Sequence, residues 1–162
     1  MREVEQTGIG RRRFLETTGG ATLLGMLVAA GILKPSWGRA ADWNKAAFEA
    51  RTMKEALDAL GAGAPADSKD IAVTAPDIAE NGAVVPITAT SNLPDTESIA
   101  FLVEANPNML AASFLLTPAS LPVVSTRVKM ARTSNVSVLV KAGGKFYVAT
   151  KEIKVTLGGC GG

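Results

Sequence analysis

The chain has 162 residues, with one cysteine, no histidine, 17 basic and 15 acidic side chains, and a net charge of +2. Without histidine there is no imidazole general base, haem ligand or zinc ligand. A single thiol also rules out a C-x-x-C-H haem attachment or a clustered thiolate site. The near-neutral balance points to neither nucleic acid nor an anionic membrane as a partner.

Residues 1–40 read as a targeting segment. Arg11 and Arg12 stand one residue before Phe14 and Leu15, which fits the twin-arginine pattern R-R-x-F-L. Gly10 and Glu16 depart from its commonest residues. The apolar stretch from Gly19 to Leu33 is shorter than the roughly 20 residues of a membrane-spanning helix. Gly38 and Ala40 supply the small residues of a cleavage site, so cleavage is expected near Ala40. The mature form is then expected in the periplasm, without a stable membrane span; an uncleaved anchor or an ordinary secretory signal is the alternative. Cleavage would leave 11 basic and 12 acidic residues, a net charge of −1.

Asp42 is placed to cap a helix with Trp43 at its first position. Ala46, Ala50, Met53, Leu57 and Leu60 recur at helical spacing, while Lys45, Glu49, Lys54, Glu55 and Asp58 face away. This pattern predicts one amphipathic helix, ended by Gly61 and the loop GAGAPADS. Its apolar stripe suits the domain's own core better than a partner subunit.

After Asp70 the period changes to two. Strands are predicted at DIAVTA, AVVPITAT, SIAFLVEA, ASFLLT, VVSTRVKMA, NVSVLVKA and KFYVATKEIKVTL. Val124, Thr126, Val128 and Met130 alternate against Ser125, Arg127 and Lys129; Val136, Val138 and Val140 alternate against Ser137 and Lys141. Gly143-Gly144 signals a hairpin between the last two strands. Turns are expected at Glu80–Ala83 and Asn106–Asn108. Pro86 within a strand suggests an edge or a bulge. In the last strand Phe146 and Val148 have one phase and Ile153, Val155 and Leu157 the other, which predicts a bulge near Lys151-Glu152. About seven antiparallel strands in so short a span indicate an immunoglobulin-like β-sandwich, here without the cysteine pair and core tryptophan of antibody domains. The domain plan is a signal at 1–40, a helix plus sandwich at 41–157, and a flexible glycine-rich arm at 158–162.

That arm reads Gly158-Gly159-Cys160-Gly161-Gly162 and holds the sole cysteine. It has no side chains to pack, and glycine on both sides keeps it thin and conformationally free. Cys160 lies three residues beyond Leu157, a reach of roughly 10 Å at 3.3–3.6 Å per residue. An unpaired thiol outside the cell is free, reactive or joined to another molecule. It could therefore carry a covalently bound group, or merely link two copies. The nearest basic residue in the chain is Lys154, and the terminal carboxylate is close, so the tail does not itself activate the thiol.

Twin-arginine signal, N-terminal helix, short β-sandwich and terminal GGCGG together resemble the SoxY family, the sulfur carriers of the bacterial Sox thiosulfate-oxidising system. The resemblance implies no cofactor and no catalysis by this chain itself. It implies covalent sulfur attachment at Cys160, with Gly158, Gly159, Gly161 and Gly162 as the arm. It also implies a heterodimer with a SoxZ-like β-sandwich subunit. The implied enzyme partners are a c-type cytochrome, a manganese-dependent hydrolase and, where present, a sulfur dehydrogenase.

The rival reading is an exported binding or chaperone-like sandwich whose cysteine only forms an intermolecular disulfide. An enzyme in its own right has little support. Asp77 and Glu80 could be called paired carboxylates, but beside a turn such residues are more often solvated or capping.

Overall fold

The computed structural model describes residues 44–157. The signal motif Arg11, Arg12, Phe14 and Leu15, the helix start at Asp42 and Trp43, and the arm 158–162 lie outside the described residues.

Where one helix is expected, two are present: α1 (Lys45–Glu49) and α2 (Met53–Ala59). The cause is a capping box. The Glu55 N–H donates to Thr52 Oγ1 at 3.2 Å, while the N–H groups of Arg51 and Thr52 donate to Glu55 Oε2 at 3.0 and 3.2 Å. Ala50 is extended, and its carbonyl accepts from the Met109 N–H at 3.1 Å instead of continuing a helix. Asn44, not Asp42, caps the helix that starts at Lys45: its Oδ1 accepts from the Ala47 N–H at 3.1 Å. Its Nδ2 donates to the Ala59 carbonyl at 2.8 Å, tying the two helices together. The break rotates the apolar stripe. Ala47 is buried and Ala46 exposed, the reverse of the expectation.

Gly61 ends α2 as expected. At φ +71° it lets the Ala62 N–H reach the Leu57 carbonyl at 2.8 Å and its own N–H reach the Asp58 carbonyl at 3.0 Å. This pairing closes the exposed carbonyl end of the helix.

All seven expected strands form: β2 (Ile71–Thr74), β4 (Val85–Ser91), β5 (Thr96–Val103), β6 (Leu110–Leu115), β7 (Val123–Val128), β8 (Ser134–Ala142) and β9 (Lys145–Leu157). Two more, β1 (Ala66–Asp67) and β3 (Ile78–Asn81), pair parallel to β9. The larger sheet runs β1-β9-β8-β5-β6, with β3 also on β9; the smaller runs β2-β4-β7. The two sheets form the sandwich. Gly143 and Gly144 take positive φ at the β8–β9 hairpin, as a tight two-residue turn requires.

Between the sheets lie Ile87, Ile99, Phe101, Met130, Val138 and Ile153, all at most 1% exposed. Phe101 meets Phe114 edge-on, with centroids 6.2 Å apart. The larger sheet is covered on its other face too, where Ala47, Ala50 and Ala56 of the helical segment pack with Leu102, Leu110 and Leu139.

This second layer removes the bulge expected near Lys151-Glu152. β9 pairs with β8 in unbroken register from Lys145 to Ile153. Phe146 and Val148 face the helices, whereas Tyr147, Ala149, Ile153 and Val155 face the sandwich core. Two apolar faces on one straight strand look like a phase change in the sequence. Pro86 is tolerated because β2 pairs β4 only from Thr88 to Ser91, so the first residues of that central strand have a free side.

β3 is fixed to β9 by charge as well as by backbone. Lys151 Nζ lies 2.9 Å from Asp77 Oδ1 and donates to the Ala75 carbonyl at 2.8 Å. The hydrogen bond and charge of Lys151, with help from the charge of Lys154, hold the Asp77 carboxyl below its ordinary value.

Two outcomes follow. Phe101→Ala should lower the unfolding free energy by about 3–5 kcal/mol in a denaturant melt, since it empties a closed part of the core. Asp77→Asn should lower the denaturant midpoint at neutral pH. The folded carboxyl has the depressed pKa, so its contribution is complete above the unfolded value of about 3.9 and disappears as pH falls through the folded one. The gap between wild type and Asp77→Asn should therefore close in acid and narrow in high salt.

Candidate functional site

Cys160 and its flanking glycines lie outside the described residues, but the segment from which they extend is well defined. β9 continues past its last pairing with β8, at Ile153, and its end is held chiefly by β3. The Lys154 N–H donates to the Asp77 carbonyl at 2.9 Å, and the Gly82 N–H to the Leu157 carbonyl at 2.8 Å. Thr156 Oγ1 donates to the Glu80 carbonyl at 3.1 Å, and Thr133 Oγ1 accepts from the Val155 N–H at 2.9 Å. The backbone is thus fixed through Leu157, and the thiol is attached three residues further on.

The turn at Asn81–Val84 makes this anchoring possible. Asn81 Oδ1 accepts from the Ala83 N–H at 2.8 Å, and the Gly82 carbonyl accepts from the Met130 N–H at 2.7 Å. Gly82 therefore bridges the root of the arm to the segment after β7. Met130 is fully buried, while its neighbours Lys129 and Arg132 are exposed. Along the chain the nearest basic residue to the arm is Lys154. The fold adds Lys129 and Arg132 from a distant segment, through backbone bonds that no local pattern announces. Glu80 and Glu152 are exposed in the same part of the fold. Leu157, Ile78 and Val84 are exposed apolar residues there, at 65%, 58% and 52%.

Asp77 and Glu80 do not form a catalytic pair. Asp77 is engaged with Lys151, and Glu80 points away from the core as Ala79 points in. Glu97 has a similar structural role: Lys141 Nζ lies 2.6 Å away and the Gly144 N–H donates to it at 2.9 Å, which together hold its carboxyl below the ordinary range. It braces the β8–β9 hairpin against β5. Among the described residues no three His, Cys, Asp or Glu side chains gather as a metal site, and no helix is long and apolar enough to cross a membrane.

Two shallow clefts lie among the described residues. One of about 300 Å³ is bordered by Leu93, Asp95, Glu97, Leu116, Thr117 and Pro122. Another of about 200 Å³ lies between α2 and the larger sheet, where Ser137 and Thr150 satisfy each other at 3.0 Å.

Comparison with known proteins gives this arrangement a family. A solved structure of the sulfur carrier protein SoxY from Chlorobium limicola f thiosulfatophilum is 42% identical over 62% of this chain and 94% of its own, with a TM-score of 0.55. A superoxide reductase (neelaredoxin) from Ignicoccus hospitalis is 16% identical over 52% of this chain and 79% of its own, at a TM-score of 0.48, too distant to bear on function. No curated protein matches the sequence. The family model for sulfur oxidation protein SoxY matches residues 56–160, from α2 to the cysteine itself, and the chain belongs to that family.

Proposed function

We propose that this chain is a sulfur-compound carrier that holds thiosulfate-derived intermediates on Cys160 and presents them to separate sulfur-oxidising enzymes. One observation carries the reading: a SoxY family match ends on the sole cysteine, three residues beyond the last anchored residue of a thirteen-residue strand. The resemblance to a structure described as a sulfur carrier protein supports it.

The chemistry needs no catalytic group from this chain. Oxidative coupling joins the Cys160 sulfur to the sulfane sulfur of thiosulfate as a cysteine S-thiosulfonate. The thiol proton is released, and two electrons pass to a c-type cytochrome. Water then cleaves the terminal sulfone as sulfate, without redox change, on a manganese-dependent hydrolase, and leaves a cysteine persulfide. A sulfur dehydrogenase, where present, takes six electrons from that sulfane as three waters supply its oxygens. A second hydrolysis restores the thiol. Each step takes place on a partner enzyme, and the glycines of the arm let the sulfur enter it.

The setting for this chemistry is the periplasm, reached folded through the twin-arginine signal with cleavage near Ala40. A SoxZ-like β-sandwich subunit is exported alongside as a heterodimer partner. Activation of the thiol belongs to the enzymes. Lys129, Arg132 and Lys154 are solvent-exposed, and salt screens such charges over about 8–10 Å.

Two measurements test the reading. Intact mass of the mature protein from thiosulfate-grown cells should show reductant-removable sulfur or thiosulfate on the C-terminal peptide. Cys160→Ser should abolish these adducts without lowering the melting temperature. A bare thiol or plain disulfide dimer under every growth condition would instead favour a binding module. In the free carrier the thiol should titrate near the ordinary value of about 8.5. A strongly depressed value would place the activation in this chain.

A further inference from the structure

Of the chain's six asparagines only Asn81 is followed by glycine. In such a pair the backbone nitrogen of the glycine can attack the side-chain carbonyl carbon of the asparagine, and no Cβ hinders the approach. Here the pair stands at the turn that holds the root of the arm.

The turn both prepares this attack and blocks it. Asn81 Oδ1 accepts from the Ala83 N–H at 2.8 Å, an Asx turn that folds the carboxamide over the intervening Gly82 nitrogen. The same hydrogen bond draws electrons from the carbonyl that is open to attack. Asn81 is exposed, so water and base reach its side chain. Gly82 is buried, however, and its N–H donates to the Leu157 carbonyl at 2.8 Å. An amide proton held in this way is withheld from solvent base, and until it leaves the nitrogen is a poor nucleophile.

The block is therefore the contact that anchors the arm. Beyond Ile153 the strand has no β8 partner, and Lys154, Thr156 and Leu157 are exposed. Segments with few buried contacts open locally far more often than a core strand does.

We propose that Asn81 is a deamidation site whose rate is set by opening of the arm root. When the end of β9 lifts from β3, the freed Gly82 nitrogen loses its proton to solvent base and bonds to Asn81 Cγ. Ammonia leaves with a proton from water, and a succinimide ring remains. Water then opens the ring at either carbonyl to give aspartate or isoaspartate, and no electrons are transferred. The ring nitrogen has no proton to donate to Leu157. Isoaspartate adds a main-chain carbon between residue 81, which pairs with Leu157, and Gly82, which is bonded to both Leu157 and Met130. These contacts can no longer be met together, so the residues from which Cys160 extends come loose. On the carrier reading above the modified chain presents its sulfur less accurately; the modification itself does not depend on that reading.

The test incubates the mature chain at neutral and mildly alkaline pH, both folded and in urea. Peptide mapping with electron-transfer fragmentation separates aspartate from isoaspartate at each asparagine. Asn81 should react first, and faster at the higher pH. In the folded chain it should react at least about tenfold more slowly than in urea, because the attack waits on a minor open state. Thr156→Val removes the hydroxyl that donates to the Glu80 carbonyl. It should speed the reaction in the folded chain and leave the rate in urea unchanged. In the purified isoaspartate form the amides of residues 154–157 should exchange faster than in the unmodified chain, with those of 145–153 unchanged. An Asn81 that stays intact in the folded chain over many half-lives of the urea reaction, or that reacts after another asparagine, overturns the site. Equal rates folded and in urea, or no effect of Thr156→Val, overturn the gate. Full protection of residues 154–157 in the isoaspartate form overturns the link to the arm.

Discussion

The structure depends on β9. This strand pairs with β8 over nine residues on one side and with β1 and β3 on the other, and it is apolar on both faces near its start. It therefore joins every layer. Tyr147, Ala149, Ile153 and Val155 close the space between the sheets, while Phe146 and Val148 support the helices. Its last residues have fewer neighbours and depend on β3 and on the Asp77–Lys151 pair. A strand that is central at one end and tethered at the other can project a tail from a rigid body.

The sequence made the sandwich legible because its seven principal strands are half-buried and alternate, or are β-branched runs bounded by turns. Gly143-Gly144 was legible for the same local reason, as was the end of α2 at Gly61. What escaped was set by contacts distant in sequence. β1 and β3 are short and take their order from β9, far along the chain, with no alternation of their own. The expected bulge was an inference from one apolar phase giving way to another, and it failed because the larger sheet is covered on both sides. The helix break was legible in principle, since Thr52 and Glu55 have the spacing of a capping box. The apolar stripe running across the break concealed it.

The candidate residue of the site stands out in the sequence, and its surroundings do not. A lone cysteine among glycines needs no tertiary information to be singled out, and the family match ends on it. The environment of the arm root does need it: Gly82 links Leu157 to Met130, so residues from three separate parts of the chain meet there. That place combines exposed apolar residues, Ile78, Val84 and Leu157, with exposed charges of both signs. The run from Ala105 to Thr126, by contrast, carries no charged side chain of its own.

The contrast bears on how one small protein can serve several enzymes. On the carrier reading, Cys160 reaches only roughly 10 Å past Leu157, so an enzyme must bring its reacting centre close to the end of the sandwich itself. Contacts with the body near the arm root are then unavoidable, and they must be brief, because the carrier leaves one enzyme for the next. Mixed, exposed charges suit brief encounters: they speed association and contribute little to residence once screened.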